Sequence, residues 1–302
     1  MTKHPLAGIY VASITPFMAN GQIDLEAVPG LIRFFAKQGA HGALLAGTTG
    51  EGTNLSDAER IALIGAAIKI REDFPDFRIL ASTGTPSLTQ SIALSQQAFA
   101  LGCDAVLVLP PYFHRNASEE GLFEWYRQII EQAVPESCYL LAYHIPQISG
   151  VQMPVTLWQR LSNLFPKRFA GIKDSSGDLE HSYRAIAALP GKAVLVGNDH
   201  LVGPALRRGG AGAITALANL RVSLLREIWD RFQAGKDNDE QQAALTKSRN
   251  VLDQNPSAQA FIKSLMPALF DFPQWELRAP LLPFSNEQAA RALNEYRASL
   301  NG

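Results

Sequence analysis

Cysteine is scarce in this chain, long apolar runs are missing, and charge of neither sign gathers into blocks. Only Cys103 and Cys138 occur. Each leads into an apolar run, which suits a reduced core thiol better than a disulfide framework or a metal knuckle. No apolar stretch approaches the roughly 20 residues that span a bilayer, so no membrane segment is expected. The opening Met1-Thr2-Lys3-His4-Pro5 lacks the charged and apolar regions of a signal peptide, and a soluble cytoplasmic protein is the expectation. Lys and Arg (27) nearly balance Asp and Glu (28), which leaves no electrostatic footprint for nucleic acid or an anionic membrane. Small molecules and other subunits remain as partners. The six histidines, at positions 4, 41, 114, 144, 181 and 200, include no helix-spaced pair, so no three-ligand metal site is expected.

With 302 residues and 47% hydrophobic side chains, the chain can bury a substantial core. Eight strand-like apolar runs fall at 9–14, 42–46, 79–83, 105–109, 138–143, 169–173, 193–196 and 212–216, each followed by a helical candidate. They are continuously apolar, as parallel strands buried on both faces should be. Between the first two, Leu25, Val28, Leu31, Ile32 and Phe35 keep the 3.6-residue period. Ser56 with Glu59 forms a capping-box pattern, Ser118 opens a later helix, and Gly39, Gly102 and Gly209 stand where helices should end. The alternation predicts an α/β (β/α)8 barrel. An open doubly wound sheet alternates in the same way, but no Gly-x-Gly-x-x-Gly follows the first run. From residue 236 to 302 the strand runs stop and helical pattern continues, broken by Pro256, Pro267, Pro273, Pro280 and Pro283. The expected organisation is a catalytic barrel over 1–235 with a C-terminal helical extension over 236–302.

In such a barrel the chemistry sits at the C-terminal ends of the strands. The sixth run ends in Lys173, and desolvation there favours the neutral amine that attacks a carbonyl to form an imine. Position alone leaves a solvated strand-end lysine open. The fifth run ends in Tyr143, a phenol able to relay protons beside such an imine, or one packed under a loop. The second run enters Gly47-Thr48-Thr49-Gly50-Glu51-Gly52, a turn whose N–H groups and hydroxyls suit a carboxylate, or simply a tight turn with capping threonines. It lacks the Gly-Lys-Ser/Thr ending of a phosphate loop.

Residues 42–51, followed by Tyr143-His144-Ile145-Pro146 and Gly171-Ile172-Lys173-Asp174, closely resemble the paired signatures of the dihydrodipicolinate synthase/N-acetylneuraminate lyase family. Thr15-Pro16-Phe17, Pro110-Pro111-Tyr112, Gly197-Asn198-Asp199 and Gly212-Ala213-Ile214 extend the likeness over nearly the whole barrel. The resemblance implies a class I pyruvate-dependent aldolase or lyase, a homotetramer built as a dimer of dimers, and no metal or organic cofactor. Lys173 would carry the imine and Tyr143 would relay protons. Thr48 and Thr49, with Gly47, would hold the pyruvate carboxylate, while Gly197, Ile214, Asp199, Ser175 and Tyr112 would line the substrate site.

The chain departs from the synthase pattern at two positions. Ile148 stands where synthases carry the arginine suited to the carboxylate of aspartate semialdehyde, and Phe113 replaces the second tyrosine of their Tyr-Tyr pair. Arg115 is another basic residue able to approach the same space. The run 143–151 and the Ser-Gly-Asp at 176–178 look more like the sugar-acid and neuraminate lyase branches, in which residues after the seventh strand hold acceptor hydroxyls. His200 replaces the acid of the neuraminate lyases there. The expected activity is therefore reversible cleavage of a 4-hydroxy-2-oxo acid to pyruvate and an aldehyde. The alternatives are the synthase reaction, a metal-dependent aldolase, and a non-catalytic 2-oxo acid sensor.

Overall fold

The computed structural model describes residues 4–255 and 257–300. Met1, Thr2 and Lys3 of the opening segment, and Pro256, expected as a helix break, lie outside the described residues. Strands and helices alternate as β1 (Gly8–Ala12), α1 (Ala27–Lys37), β2 (Gly42–Leu45), α2 (Asp57–Ile68), β3 (Arg78–Ser82), α3 (Leu88–Ala100), β4 (Ala105–Val108), α4 (Glu119–Ala133) and β5 (Tyr139–His144). The series continues with α5 (Pro146–Ser149), α6 (Val155–Leu164), β6 (Phe169–Asp174), α7 (Leu179–Ala188), β7 (Ala193–Val196), α8 (Val202–Arg207), β8 (Gly212–Thr215) and α9 (Ala218–Gln233). Three further helices follow: α10 (Asp239–Asp253), α11 (Ala258–Phe270) and α12 (Asn286–Leu300). Each strand pairs in parallel with the next, and β8 pairs with β1 to close the barrel.

Continuous apolar strands are explained by two buried layers. Tyr10, Leu44, Leu80, Leu107, Leu141, Leu195 and Ile214 fill the barrel interior, while alternate residues such as Ile9, Ala43, Ile79, Val106 and Val194 pack under the helices. All eight expected strands form, with ends that differ by at most two residues. The first stops at Ala12, because the Ile14 N–H donates to the Asn219 side chain at 3.1 Å instead of to a neighbouring strand. The fifth and sixth each run one residue further than expected, to His144 and Asp174, which pair with one another. Ser56 and Glu59 form the reciprocal capping box of α2, and Ser118 accepts from the Gly121 N–H to cap α4.

Pro267 does not break a helix. It lies inside α11, in the last turn, where a missing N–H costs a single intrahelical bond, whereas Pro273, Pro280 and Pro283 occupy the irregular segment between α11 and α12. The C-terminal helices are tied to the barrel by polar contacts. Gln242 on α10 accepts from the Gly203 N–H at 2.7 Å and donates to the Asp199 carbonyl at 2.9 Å. Among the described residues, no helix is long and apolar enough to cross a membrane.

Candidate active site

Simple alternation along β6 would not turn Lys173 toward the barrel axis. Phe169 packs outward, so Lys173, four residues later, would also face the helices. A register shift intervenes: Leu140 pairs with Phe169, but Leu141 pairs with Gly171, leaving Ala170 as an extra inward residue. Beyond this bulge, Ile172 faces out and Lys173 faces in, directly opposite Tyr143 of β5. Glycine is required at the bulge. Gly171 has φ +132°, and a Cβ there would meet the Ala193 carbonyl oxygen at 2.3 Å.

Lys173 and Tyr143 are both buried, and the lysine Nζ lies 4.3 Å from the centre of the phenol ring. Burial pushes the Tyr143 hydroxyl up. The Lys173 charge and hydrogen-bonding neighbours Thr48, Ser175 and Lys173 outweigh this and hold it below its ordinary value.

The turn after β2 is held from two sides. Thr15 Oγ1 donates to the Gly50 carbonyl at 2.6 Å, and Arg60 donates to the Gly52 carbonyl at 2.6 Å. Gly52 has no room for a side chain, since a Cβ would lie 1.8 Å from the Ala46 carbonyl oxygen. From the C-terminal segment, Gln259 Nε2 donates to the Thr48 carbonyl at 2.9 Å. Lys263 Nζ bonds Glu51 Oε1 at 2.6 Å and the Glu276 carbonyl at 2.7 Å, with the Lys263 and Glu51 side chains fully buried and the ammonium beside the Phe17 ring. Burial lowers the Lys263 amine to about 8, although Glu51 opposes the shift. Glu51 itself adopts a left-handed φ of 54°, the kind of local strain that tertiary contacts must maintain.

A cavity of about 320 Å³ opens at this end of the barrel, bounded by Lys173, Tyr143, Thr48, Thr49, Gly197 and Ile214. Ser175 lines it too, alongside Gln147, Ser176 and Asn198. Gly47 and Tyr112 instead line a neighbouring cavity of about 190 Å³ with the buried Arg60, and the two spaces share Thr48, Ile145 and Ile148 as walls. Asp199 is not brought to either. Its carboxylate is fully buried and accepts from Arg249 Nη1 at 2.9 Å, so it is Arg249, on α10, that reaches the cavity wall. His200 likewise turns to Asp253 at 3.2 Å. Arg115 is exposed, lies against Gly150 and lines neither cavity, while Ile148 and Phe113 are exposed.

Behind the lysine, on the outer face of the same strands, lies a cluster absent from the sequence reading. His144, Asp174 and His181 place one ligand-type atom each within 4.8 Å of the others. Asp174 accepts from the Ser182 hydroxyl and the Ser176 N–H and pairs with His181 at 3.0 Å. The two imidazoles stack at 17° with centroids 4.5 Å apart. Lone pairs that lie in nearly parallel planes do not converge on one ion, so the cluster is read as packing that supports β5 and β6. Burial lowers His144 to about 4, keeping it neutral.

The sequence profile of the Dihydrodipicolinate synthetase family matches residues 5–296. The chain is 38% identical over 296 residues to an uncharacterized DapA-like lyase of Chloroflexus aurantiacus, covering 98% of this chain and 97% of that one. It is 31% identical over 300 residues to the 4-hydroxy-tetrahydrodipicolinate synthase of Geobacter metallireducens, covering 96% and 98%. Among solved structures, the 4-hydroxy-tetrahydrodipicolinate synthase of Methylacidiphilum fumariolicum SolV superposes with a TM-score of 0.87 at 30% identity, covering 98% of this chain and 97% of that one.

Proposed function

The chain belongs to the dihydrodipicolinate synthetase family and is an enzyme of its lyase and synthase kind, and on that premise we propose that it cleaves a 4-hydroxy-2-oxo acid reversibly to pyruvate and an aldehyde through an imine on Lys173. The observation that carries this reading is the lysine facing Tyr143 across one ladder rung, inside the cavity that Thr48 and Thr49 also line.

The Lys173 amine adds to the C2 carbonyl and water leaves, giving a protonated imine that withdraws electrons from C3. Thr48 and Thr49 hold the C1 carboxylate. Tyr143 shuttles protons during carbinolamine formation and removes the 4-hydroxyl proton, the C3–C4 bond breaks, and its electron pair passes into the enamine as the aldehyde departs. Protonation at C3 and hydrolysis of the imine then release pyruvate. This scheme uses no metal or organic cofactor. The helices beyond residue 236 belong to the same catalytic unit, and the working form is a homotetramer.

Condensation of pyruvate with aspartate semialdehyde is the competing reaction, and Ile148 argues against it. A charged bidentate contact is worth about 1.5–3 kcal/mol, so its loss lowers kcat/KM roughly 10- to 150-fold. Steady-state kinetics with both substrate types test the reading. A higher kcat/KM for the semialdehyde condensation would establish the synthase reaction instead.

A further inference from the structure

Arg249 is the one basic side chain other than Lys173 that the described residues bring to the wall of the 320 Å³ cavity. Among the described residues no acid lines that cavity, and the remaining polar walls are the neutral side chains of Thr48, Thr49, Tyr143, Gln147, Ser175, Ser176 and Asn198. Once Lys173 is committed to an imine and the two threonines to a carboxylate, Arg249 is the strongest hydrogen-bonding group left for the departing aldehyde. It reaches the site from α10, whereas Ile148 stands on α5, and Leu252 of α10 and Ala258 of α11 line the same cavity.

The guanidinium is fixed before any ligand arrives. Its Nε donates to Asp253 Oδ1 at 2.7 Å and its Nη1 to Asp199 Oδ2 at 2.9 Å. A guanidinium has five N–H donors, so three are left without a partner among the described residues, and the side chain retains 16% exposure. Its charge is already answered by two carboxylates, one of them fully buried. A third carboxylate, brought in by a substrate, would meet two like charges immediately behind the arginine. A hydroxyl oxygen meets only oriented donors. We infer that Arg249 is a specificity-determining residue for the aldehyde half of the substrate, and that it selects a neutral, hydroxyl-bearing aldehyde over an anionic one.

This inference rests on the aldolase reading, and three probe substrates separate the two. 2-Oxo-3-deoxygluconate carries distal hydroxyls, 4-hydroxy-2-oxopentanoate ends in a methyl group, and 4-hydroxy-2-oxoglutarate ends in a carboxylate. The wild-type chain should favour the first of them. Arg249→Met should lower kcat/KM for the hydroxylated probe by about 10- to 100-fold, while the methyl-ended probe changes by less than about threefold. The ratio of the two rates within one preparation is independent of how much protein has folded, so a destabilised variant still reports. Asp199→Asn removes one of the balancing charges and should raise the carboxylated probe relative to the hydroxylated one. Equal losses on the first two probes in Arg249→Met, or a wild-type preference for 4-hydroxy-2-oxoglutarate, would overturn the assignment while leaving the aldolase intact. Absence of turnover with all three would overturn the aldolase reading and this assignment with it.

Discussion

Lys173 and Tyr143 face one another across the β5–β6 ladder with the amine 4.3 Å from the phenol ring centre, and a single bulged residue, Ala170, brings them to the same side. The pairing is thus a property of strand register. A regular strand would have buried the lysine among helices, at the cost of an unpaired charge.

Gly171→Ala should destabilise the protein by about 2–4 kcal/mol, because it combines a disfavoured φ with a clash against backbone that cannot yield. Thermal or urea unfolding checks this. A variant of wild-type stability and turnover would show that the bulge does not orient the lysine.

Tyr143→Phe should fold normally and lose about 10²-fold or more in kcat if the phenol moves protons. The Lys173 charge and the hydrogen-bonding neighbours hold the Tyr143 hydroxyl below its ordinary value, which eases transfer of its proton. Unchanged turnover would reduce Tyr143 to packing.

Much of this arrangement was legible in the sequence for a physical reason. Parallel strands buried on both faces must be continuously apolar, so a polar residue ending such a run, as Lys173 and Tyr143 do, stands out. Register was not legible. Apart from Gly171 within an apolar run, nothing in the sequence marks the bulge at Ala170. Asp199 was expected in the substrate site because it follows β7. It is instead buried behind Arg249, a partner 50 residues away on a helix, and no local pattern foretells that pairing. Lys263 did leave a signal, as a lone cation within the apolar run 260–266, where a buried lysine demands a carboxylate.

That carboxylate is Glu51, next to the turn that carries Thr48 and Thr49. Lys263→Met should cost about 3–5 kcal/mol, since it leaves a buried Glu51 without its cation. The double variant with Glu51→Gln should recover part of this. Melting temperatures of Lys263→Met, Glu51→Gln and the double variant decide the matter, and a double-variant loss equal to the sum of the two single losses would mean the pair is not energetically coupled.

Acid stability should fall as pH drops from about 6.5 to about 4. His144 is held neutral down to about 4 in the folded protein, whereas the unfolded chain takes up the proton near its ordinary value of 6.5. The unfolded state therefore binds more protons within that window, and the protein loses stability of the order of 2–3 kcal/mol through this residue, with no effect above it. His4, also lowered to about 4 by burial, adds in the same direction. His144→Asn should give a shallower decline of melting temperature over this range. Parallel curves for the two proteins would contradict the assignment.

The imine itself can be trapped. Pyruvate plus borohydride should inactivate the protein irreversibly and add one reduced pyruvyl group at Lys173, located by peptide mass spectrometry, and Lys173→Ala should take up no label. Label on a different residue such as the buried Lys263, or normal turnover by Lys173→Ala, would contradict the Schiff-base account.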